Sequence, residues 1–337
     1  MVGDLGRLTD HGRRRLDPRG MMPGVDEDPI DPELPIVDPH HHLWEHPANT
    51  YMMDELQTDT ESGHRVEKTV FVECGSGYRI NGPESMSFVG ETEFVVSADP
   101  NGFIAGIVGR ADLTSPDIAD VLAAHIESGR GRFRGIRHAS AHDPDPAIRA
   151  SHTNPPPDLL GREDFRRGFA ALGAAGLRFD AWLFHPQLPE LVDLAHAHPD
   201  VPIVLDHLGG PLGIGPYAGR RDEVLTTWRA SMELVATCAN VSLKLGGIGM
   251  PIYGMGLHKL EGGASSAQLA AAWGAPILWC IDQFGVDRCM FESNFPVDKA
   301  SCTYAVLWNA FKLIAAECSA SEKAALFKDT ASRVYDV

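Results

Sequence analysis

The sequence predicts an α/β protein of the (β/α)₈ barrel class, a TIM barrel, built as a single domain with long loops over one face. From residue 35 onward, eight short β-rich segments alternate with segments of helical character, and polar residues collect where the β-rich segments end. This alternation is typical of the barrel class, whose reactive groups lie at the carboxyl ends of the strands. A doubly wound open sheet is the alternative, but no Gly-x-Gly-x-x-Gly turn follows the first segment.

Most of the predicted strands contain Val, Ile or Phe and are bounded by Gly, Pro or Asp. They cover residues 36–42, 69–74, 104–109, 134–139, 178–184, 202–207, 241–245 and 288–294. Ser115 and Pro116 begin one helix, with a cap-like hydroxyl and a proline in the first turn. Further helices are predicted at 162–175, 187–197, 221–238, 267–284 and 303–316, and a last one opens at Ser321. Three long connections, 44–65, 209–222 and 246–264, leave strand ends on the predicted active face.

The composition limits the classes of partner that this protein is expected to bind. The chain has 337 residues and a net charge of −17, which argues against nucleic acid and anionic membranes and leaves a small molecule. No apolar segment is long enough to span a bilayer. The six cysteines form no Cys-x-x-Cys pair, so we expect reduced, buried thiols in a cytoplasmic protein. Residues 1–34 are predicted to be a partly mobile arm, residues 35–337 the barrel domain, and the barrel a possible homodimer.

The first predicted strand ends in Asp38, His40 and His42, spaced two apart. Side chains alternate along an extended strand, so these three should share one face and His41 the other. Paired imidazoles at a strand end suit a divalent cation.

Other predicted strands also end in polar residues. A lone histidine at a strand end is more often structural than catalytic, but the strand ends of a closed barrel face one cavity. Four histidines from strands one, five and six are hard to explain by packing alone. The strand-end residues are Glu73, Arg137, His138, His185, Gln187, Asp206, His207, Lys244, Glu292 and Asn294.

Several motifs carry a resemblance to a known family. They are Asp38-Pro39-His40-His41-His42 on strand one, Leu205-Asp206-His207-Leu208-Gly209 on strand six, and Phe291-Glu292-Ser293-Asn294-Phe295-Pro296 on strand eight. With them, the chain resembles the amidohydrolase superfamily of metal-dependent barrels. It is most similar to the branch of 2-pyrone-4,6-dicarboxylate lactonase, fuconolactonase and 4-sulfomuconolactone hydrolase. His185-Pro186 resembles a pair in the related aromatic-acid decarboxylases.

The resemblance implies that His40, His42 and His185 bind a divalent metal, Zn or Mn, and that His207 is a ligand or an acid/base group. The family's strand-eight aspartate is replaced here by Asn294, which cannot act as a general base. Glu292, two residues earlier, can supply the missing carboxylate.

These residues predict hydrolysis of a lactone or similar cyclic ester of an organic acid. His207 or Glu292 would take the proton of the attacking water, and Asn294 would orient that water or donate to the oxyanion. Asp298 is a second candidate carboxylate. The predicted substrate contacts are Arg137, Lys244, Tyr51, Arg79 and Gln187, of which Arg137 and Lys244 suit a substrate carboxylate.

Two alternatives remain at this stage. One is metal-dependent, non-oxidative decarboxylation of an aromatic or unsaturated acid, which His185-Pro186 favours and the missing aspartate disfavours. The other is a barrel that binds a ligand without turnover, which Asn294 motivates.

Overall fold

The structure, a computed structural model, describes residues 25–46 and 49–337. Its main sheet has eight parallel strands that lie side by side in chain order, from the first to the last. They are β1 Ile36–His41, β2 Val66–Val72, β3 Ile104–Gly109, β4 Phe133–Arg137, β5 Arg178–Ala181, β6 Ile203–Leu205, β7 Val241–Leu245 and β8 Cys289–Phe291. A bridge between His41 and Phe295 brings the chain after β8 against β1. The predicted (β/α)₈ barrel is therefore confirmed.

Helices alternate with these strands. They are α1 Met53–Thr60, α2 Val89–Ala98, α3 Ile118–Ser128, α4 Glu163–Ala174, α5 Leu188–Ala197, α6 Arg221–Ala236, α7 Ser266–Phe284, α8 Tyr304–Ile314, α9 Ala320–Ala324 and α10 Thr330–Tyr335. The sequence did not predict α1 or α2. The connection after β1 also holds a hairpin, Trp44–His46 paired with Asn49–Tyr51.

Six strands end one to three residues earlier than predicted. The segments predicted to run to residues 42, 74, 139, 184, 207 and 294 stop at His41, Val72, Arg137, Ala181, Leu205 and Phe291. Beyond these points the backbone leaves the sheet, and His207 and Asn294 have positive φ angles of 52° and 54°. His207 and Asn294 therefore lie on turns at the barrel mouth, outside the strands, whereas Arg137 and Lys244 remain within β4 and β7.

The barrel interior is lined by alternate strand residues. Val37, Val204 and Met290 form one cluster with Ala331 and Tyr335 of α10, whereas their chain neighbours pack outward against the helices. The C-terminal helix therefore closes the floor of the barrel. Asp180 and Lys244 are in register with Val204 and Met290 on the neighbouring strands, and both are fully buried.

The N-terminal part of the described chain lies along α7 and α8. Asn309 donates to Glu27 and to the carbonyl of Asp28, and Lys312 donates to the carbonyl of Asp31. The rest of the predicted arm, residues 1–24, lies outside the described residues, and the division at residue 35 stays a prediction.

All six cysteines are free, four of them buried and two half-buried. Among the helices of the described chain, none is long and apolar enough to cross a membrane.

Candidate active site

Glu292 joins two imidazoles at the barrel mouth. Its Oε1 lies 2.6 Å from His207 Nδ1, and its Oε2 lies 2.8 Å from His40 Nδ1. The His40 and His207 ring centroids are 4.5 Å apart. Since the Glu292 carboxylate can only accept from His207, the His207 proton sits on Nδ1 and the lone pair on Nε2.

The loops after β6 and β7 fix His207 in an unusual backbone conformation. His207 and Leu208 both have left-handed φ angles, which strain a residue other than glycine. Tyr253 donates to the carbonyl of His207, and Trp228 donates to that of Leu208, which hold this turn in place. Strain concentrated at one buried imidazole is typical of a functional site.

Two glycines after β7 make room for the Glu292 and His207 side chains. A Cβ added at Gly246 would lie 2.2 Å from Glu292 Cγ, and one added at Gly247 would lie 2.7 Å from His207 Nδ1. Both approaches are too close for any side chain.

Opposing forces set the charge of the carboxylate. Burial would raise the pKa of Glu292, but His207 and His40 lower it to about 2, so it is ionised at neutral pH. Burial, followed by the charge of Lys244, lowers the pKa of His40, so this imidazole is neutral.

Contrary to the prediction from the sequence, Asp38 and His40 do not share one face of the first strand. A register shift between Asp38 and His41 interrupts the alternation of side chains. Asp38 consequently accepts from Tyr304 of α8, whereas His40 reaches Glu292 inside. His41 bonds Thr69 and takes a different direction from His40, as predicted.

The remaining predicted ligands carry opposite tautomers. His42 Nδ1 lies 2.8 Å from the carbonyl of Val72 and must donate to it, which leaves the Nε2 lone pair available to a metal. His185 Nδ1 accepts from the backbone N–H of Leu212 at 3.3 Å, so its Nε2 carries the proton. The geometry therefore favours His185 as a hydrogen-bond donor over the predicted role of metal ligand.

Arg137 and Lys244 are bound inside the barrel. Arg137 directs Nε to Glu73 Oε1 at 2.7 Å and Nη1 to Asp206 at 3.3 Å. Lys244 Nζ lies 2.6 Å from Asp180 and 3.0 Å from Asp206. Because internal carboxylates already engage both cations, the structure argues against their predicted contact with a substrate carboxylate.

The other three predicted substrate contacts are also engaged. Tyr51 donates to Asp59, and Arg79 forms a half-exposed ion pair with Glu93. Gln187 donates to the carbonyl of Ser140 and accepts from the backbone N–H groups of His142 and Phe184. These contacts hold loops in place. The three residues therefore have structural contacts that the pattern of polar residues near strand ends did not predict.

Asn294 lies beside the site with its amide partly engaged. Its Nδ2 donates to Asp298 Oδ1 at 2.9 Å, and Asp298 Oδ2 accepts from the backbone N–H of Gly249. Burial raises the pKa of Asp298 to about 7. Asn294 thus positions a second buried acid, and its predicted contact with water or an oxyanion stays a prediction.

The site can hold a divalent cation. Within the part of the chain that the structure describes, His40, His207 and Glu292 form a group whose ligand atoms all lie within 4.8 Å of one another. Among the described residues, none makes a well-directed hydrogen bond to the buried Glu292 Oε2, although His40 Nδ1 lies 2.8 Å away, and a cation would satisfy this oxygen. Nitrogen and carboxylate donors suit zinc.

Linked ion pairs lie beneath the site. They contain two permanent cations and four carboxylates, and burial raises the pKa of one of these carboxylates, Asp180. Their members are Lys244, Arg137, Asp180, Asp206, Glu73 and Glu292. His42 and His185 lie outside the compact group, and their roles as ligands stay predictions.

A (β/α)₈ barrel with histidines and a carboxylate at its mouth is typical of a barrel enzyme. The family model described as amidohydrolase matches residues 37–337. The chain belongs to this family, and it is an enzyme.

Relatives agree with this assignment. The chain is 32% identical to an uncharacterized protein, y4mH, of Sinorhizobium fredii, over 90% of this chain and 99% of that protein. It is 31% identical to an L-fucono-1,5-lactonase of Burkholderia multivorans, over 73% of this chain and 76% of that enzyme. A crystal structure of a B. multivorans amidohydrolase with bound zinc is 25% identical, with a TM-score of 0.70 over 90% of this chain and 99% of that one.

Sequence reasoning missed the residues that support the site. Gly246 and Gly247 follow β7 directly, and paired glycines beside a strand end signal a close approach. Asp180 stands between the apolar residues Phe179 and Ala181 in β5, which was a signal of a buried charge. Tyr335, near the C-terminus, gave no signal at all.

Proposed function

We propose that this enzyme hydrolyses the lactone of a sugar acid or a related organic acid by attack of water on the ring carbonyl. The observation that carries the proposal is the Glu292 carboxylate, which holds His207 through Nδ1 and leaves Nε2 free to accept a proton. The similarity to an L-fucono-1,5-lactonase supports the same reaction.

His207 would manage the proton in both halves of the reaction. Its Nε2 takes a proton from water as the water oxygen bonds to the carbonyl carbon, and Glu292 stabilises the imidazolium. When the ring C–O bond breaks, the same nitrogen returns the proton to the departing oxygen. The product is the open-chain hydroxy acid, and the imidazole is restored.

His185 would stabilise the charge that develops on the carbonyl oxygen. Its Nε2–H is fixed as a donor by Leu212, and burial lowers the pKa of His185 to about 4, so the ring stays neutral. A divalent cation such as zinc or manganese polarises a carbonyl and acidifies water when bound. His40 and Glu292 would hold it, while His207, the third residue of this group, would keep Nε2 for the proton.

We propose a neutral, hydroxylated lactone ahead of a carboxylated one. Arg137 and Lys244, the cations suited to a substrate carboxylate, are engaged by internal carboxylates. The half-buried Trp182 stands edge-on to His207, with centroids 4.8 Å apart, and offers an aromatic surface beside the proton acceptor. An aromatic surface suits the C–H face of a sugar ring.

The test is an assay of purified protein on a panel of lactones, with acid release followed by a pH indicator. The panel contains L-fucono-1,5-lactone, other neutral γ- and δ-lactones, and 2-pyrone-4,6-dicarboxylate. We expect turnover of neutral lactones, a loss on chelation, and recovery with Zn or Mn. Activity that survives chelation would assign the reaction to the protein groups alone.

A matched pair of histidine variants tests the proton acceptor. His207→Asn should lower kcat by about 10²–10⁴-fold, whereas His196→Asn, at an exposed position on α5, should leave it unchanged. Wild-type kcat in His207→Asn, or release of carbon dioxide from aromatic acids with no lactone turnover, would reject the proposal.

A further inference from the structure

A series of contacts between buried polar side chains runs from His40 to the C-terminal helix. Asp180 Oδ2 accepts from Lys244 Nζ at 2.6 Å and from the Tyr335 hydroxyl at 2.7 Å. Lys244 Nζ in turn lies 3.2 Å from His40 Nδ1. None of these four side chains is more than 1% exposed, so no water competes for the contacts.

Lys244 is fixed from several sides. Besides Asp180, its ammonium lies 3.0 Å from Asp206 Oδ1 and 5.3 Å from the centre of the Tyr335 ring. A lysine side chain has four rotatable bonds, and only such partners keep its ammonium against one nitrogen of His40. Asp180 is therefore one of the groups that set the position of the His40 ring, together with Glu292 at 2.8 Å and Arg137 at 3.4 Å from its two nitrogens.

Tyr335 is held firmly enough to anchor the lower end of this series of polar contacts. Its ring packs in the barrel floor with Val37, Val204 and Met290, and the Arg178 guanidinium lies 5.8 Å from its centre. The last helix thus reaches the floor and places one hydroxyl three contacts away from His40.

We propose that Tyr335 is a positioning residue, which acts through Asp180 and Lys244 to hold the His40 imidazole in place for the reaction. The C-terminal helix is then part of the active site's support as well as the plug of the barrel. The effect on turnover rests on the proposed function, but the effect on His40 does not.

The primary test observes His40 without metal or substrate. Protein labelled with ¹⁵N-histidine is treated with chelator, and the imidazole nitrogens of His40 are assigned from their loss in His40→Gln. In Tyr335→Phe, which removes only the hydroxyl, we expect the His40 signals to shift or broaden. Thr330→Val is the matched control, because it removes a hydroxyl of the same helix that bonds the carbonyl of Val286 instead. Unchanged His40 signals in Tyr335→Phe, or equal changes in Thr330→Val, would overturn the proposal.

Two further measurements separate positioning from general stability. Zinc affinity, measured by competition with a fluorescent chelator, should fall about tenfold in Tyr335→Phe, as is typical when an outer partner of a ligand is lost. With lactone, kcat should fall severalfold while KM stays unchanged. Lower kcat with wild-type His40 signals would contradict the mechanism, whereas absent lactonase activity with shifted His40 signals would reject only the proposed function.

A double-mutant cycle tests the route. If Tyr335 acts through Asp180, then Tyr335→Phe adds nothing to the His40 shift seen in Asp180→Asn. Additive shifts would show that the two residues act separately. If Tyr335→Phe does not fold, the His40 signals of Asp180→Asn decide the proposal. Shifted signals would support the series of contacts from Asp180 to His40, and wild-type signals would reject it.

Discussion

Two adjacent layers of the barrel contain buried charges, but they use them differently. At the mouth, Glu292 holds His207 through Nδ1, and this tautomer leaves a lone pair on Nε2. In the floor below, the cations Lys244 and Arg137 are directed at carboxylates. The mouth therefore keeps a group that can accept a proton, whereas the cations of the floor are neutralised internally.

Residue type alone therefore does not determine whether a side chain binds substrate or an internal partner. Arg137 and Lys244 were expected to bind a substrate carboxylate, since both follow the pattern of a strand end. Their partners Glu73 and Asp180 decide otherwise, because a buried cation must be neutralised where it lies.

The largest effect is expected from Glu292→Gln. The amide keeps the size of the side chain but loses the charge that orients His207, so kcat for a lactone should fall about 10³-fold. Thermal unfolding should change little by comparison. Glu127→Gln, exposed on α3, is the control. A kcat within tenfold of wild type would remove Glu292 from the mechanism.

In the floor, Lys244→Met should instead reduce stability. It leaves Asp180 and Asp206 buried next to no ammonium, and breaking a buried ion pair costs about 3–5 kcal/mol. Urea unfolding measures the loss, and adding Asp180→Asn should recover part of it. A variant as stable as wild type that binds carboxylated lactones more weakly would restore the substrate role.

Gly247→Ala should damage the mouth without removing any functional group. The new Cβ would lie 2.7 Å from His207 Nδ1, and displacing the imidazole by about 1 Å can cost about 10²-fold in kcat. Gly256→Ala is a matched control, because Gly256 has a similar φ of +69° but open space around it. Equal kcat values in the two variants would show that the contact with His207 is unimportant.

The smallest effect concerns a residue outside both layers. Burial lowers the pKa of His125 on α3 to about 4 from an ordinary 6.5. The unfolded chain therefore binds this proton first as the pH falls, and folded stability declines between pH 6.5 and 4, by at most about 1.4 kcal/mol per pH unit. The unfolding free energy of His125→Gln should decline less steeply over that range. Parallel slopes would assign the acid sensitivity to other groups.

Much of the fold was predictable because it depends on local pattern. The alternation of apolar strands and amphipathic helices predicted the eight βα units, but α1 and α2 were missed within connections. Strand ends were placed up to three residues late, as with Ala181 and Leu205. Sequence alone cannot tell a strand from a turn once the backbone enters the mouth.

The site was predicted in part for a similar reason. His40, His207 and Glu292 follow from family motifs and strand position, and the structure brings them together. The tautomer of His185 could not be predicted, because it depends on the backbone N–H of Leu212, 27 residues later.

By itself, the sequence determined the barrel, the family and the identity of the residues at the mouth, since hydrophobic periodicity and short motifs are written along the chain. Only the tertiary structure decided which charges are consumed in internal pairs and which retain a free atom. That outcome depends on distances of about 3 Å between side chains far apart in sequence, such as Tyr335 and Asp180, and electrostatic and hydrogen-bond energies in a buried layer change steeply over such distances.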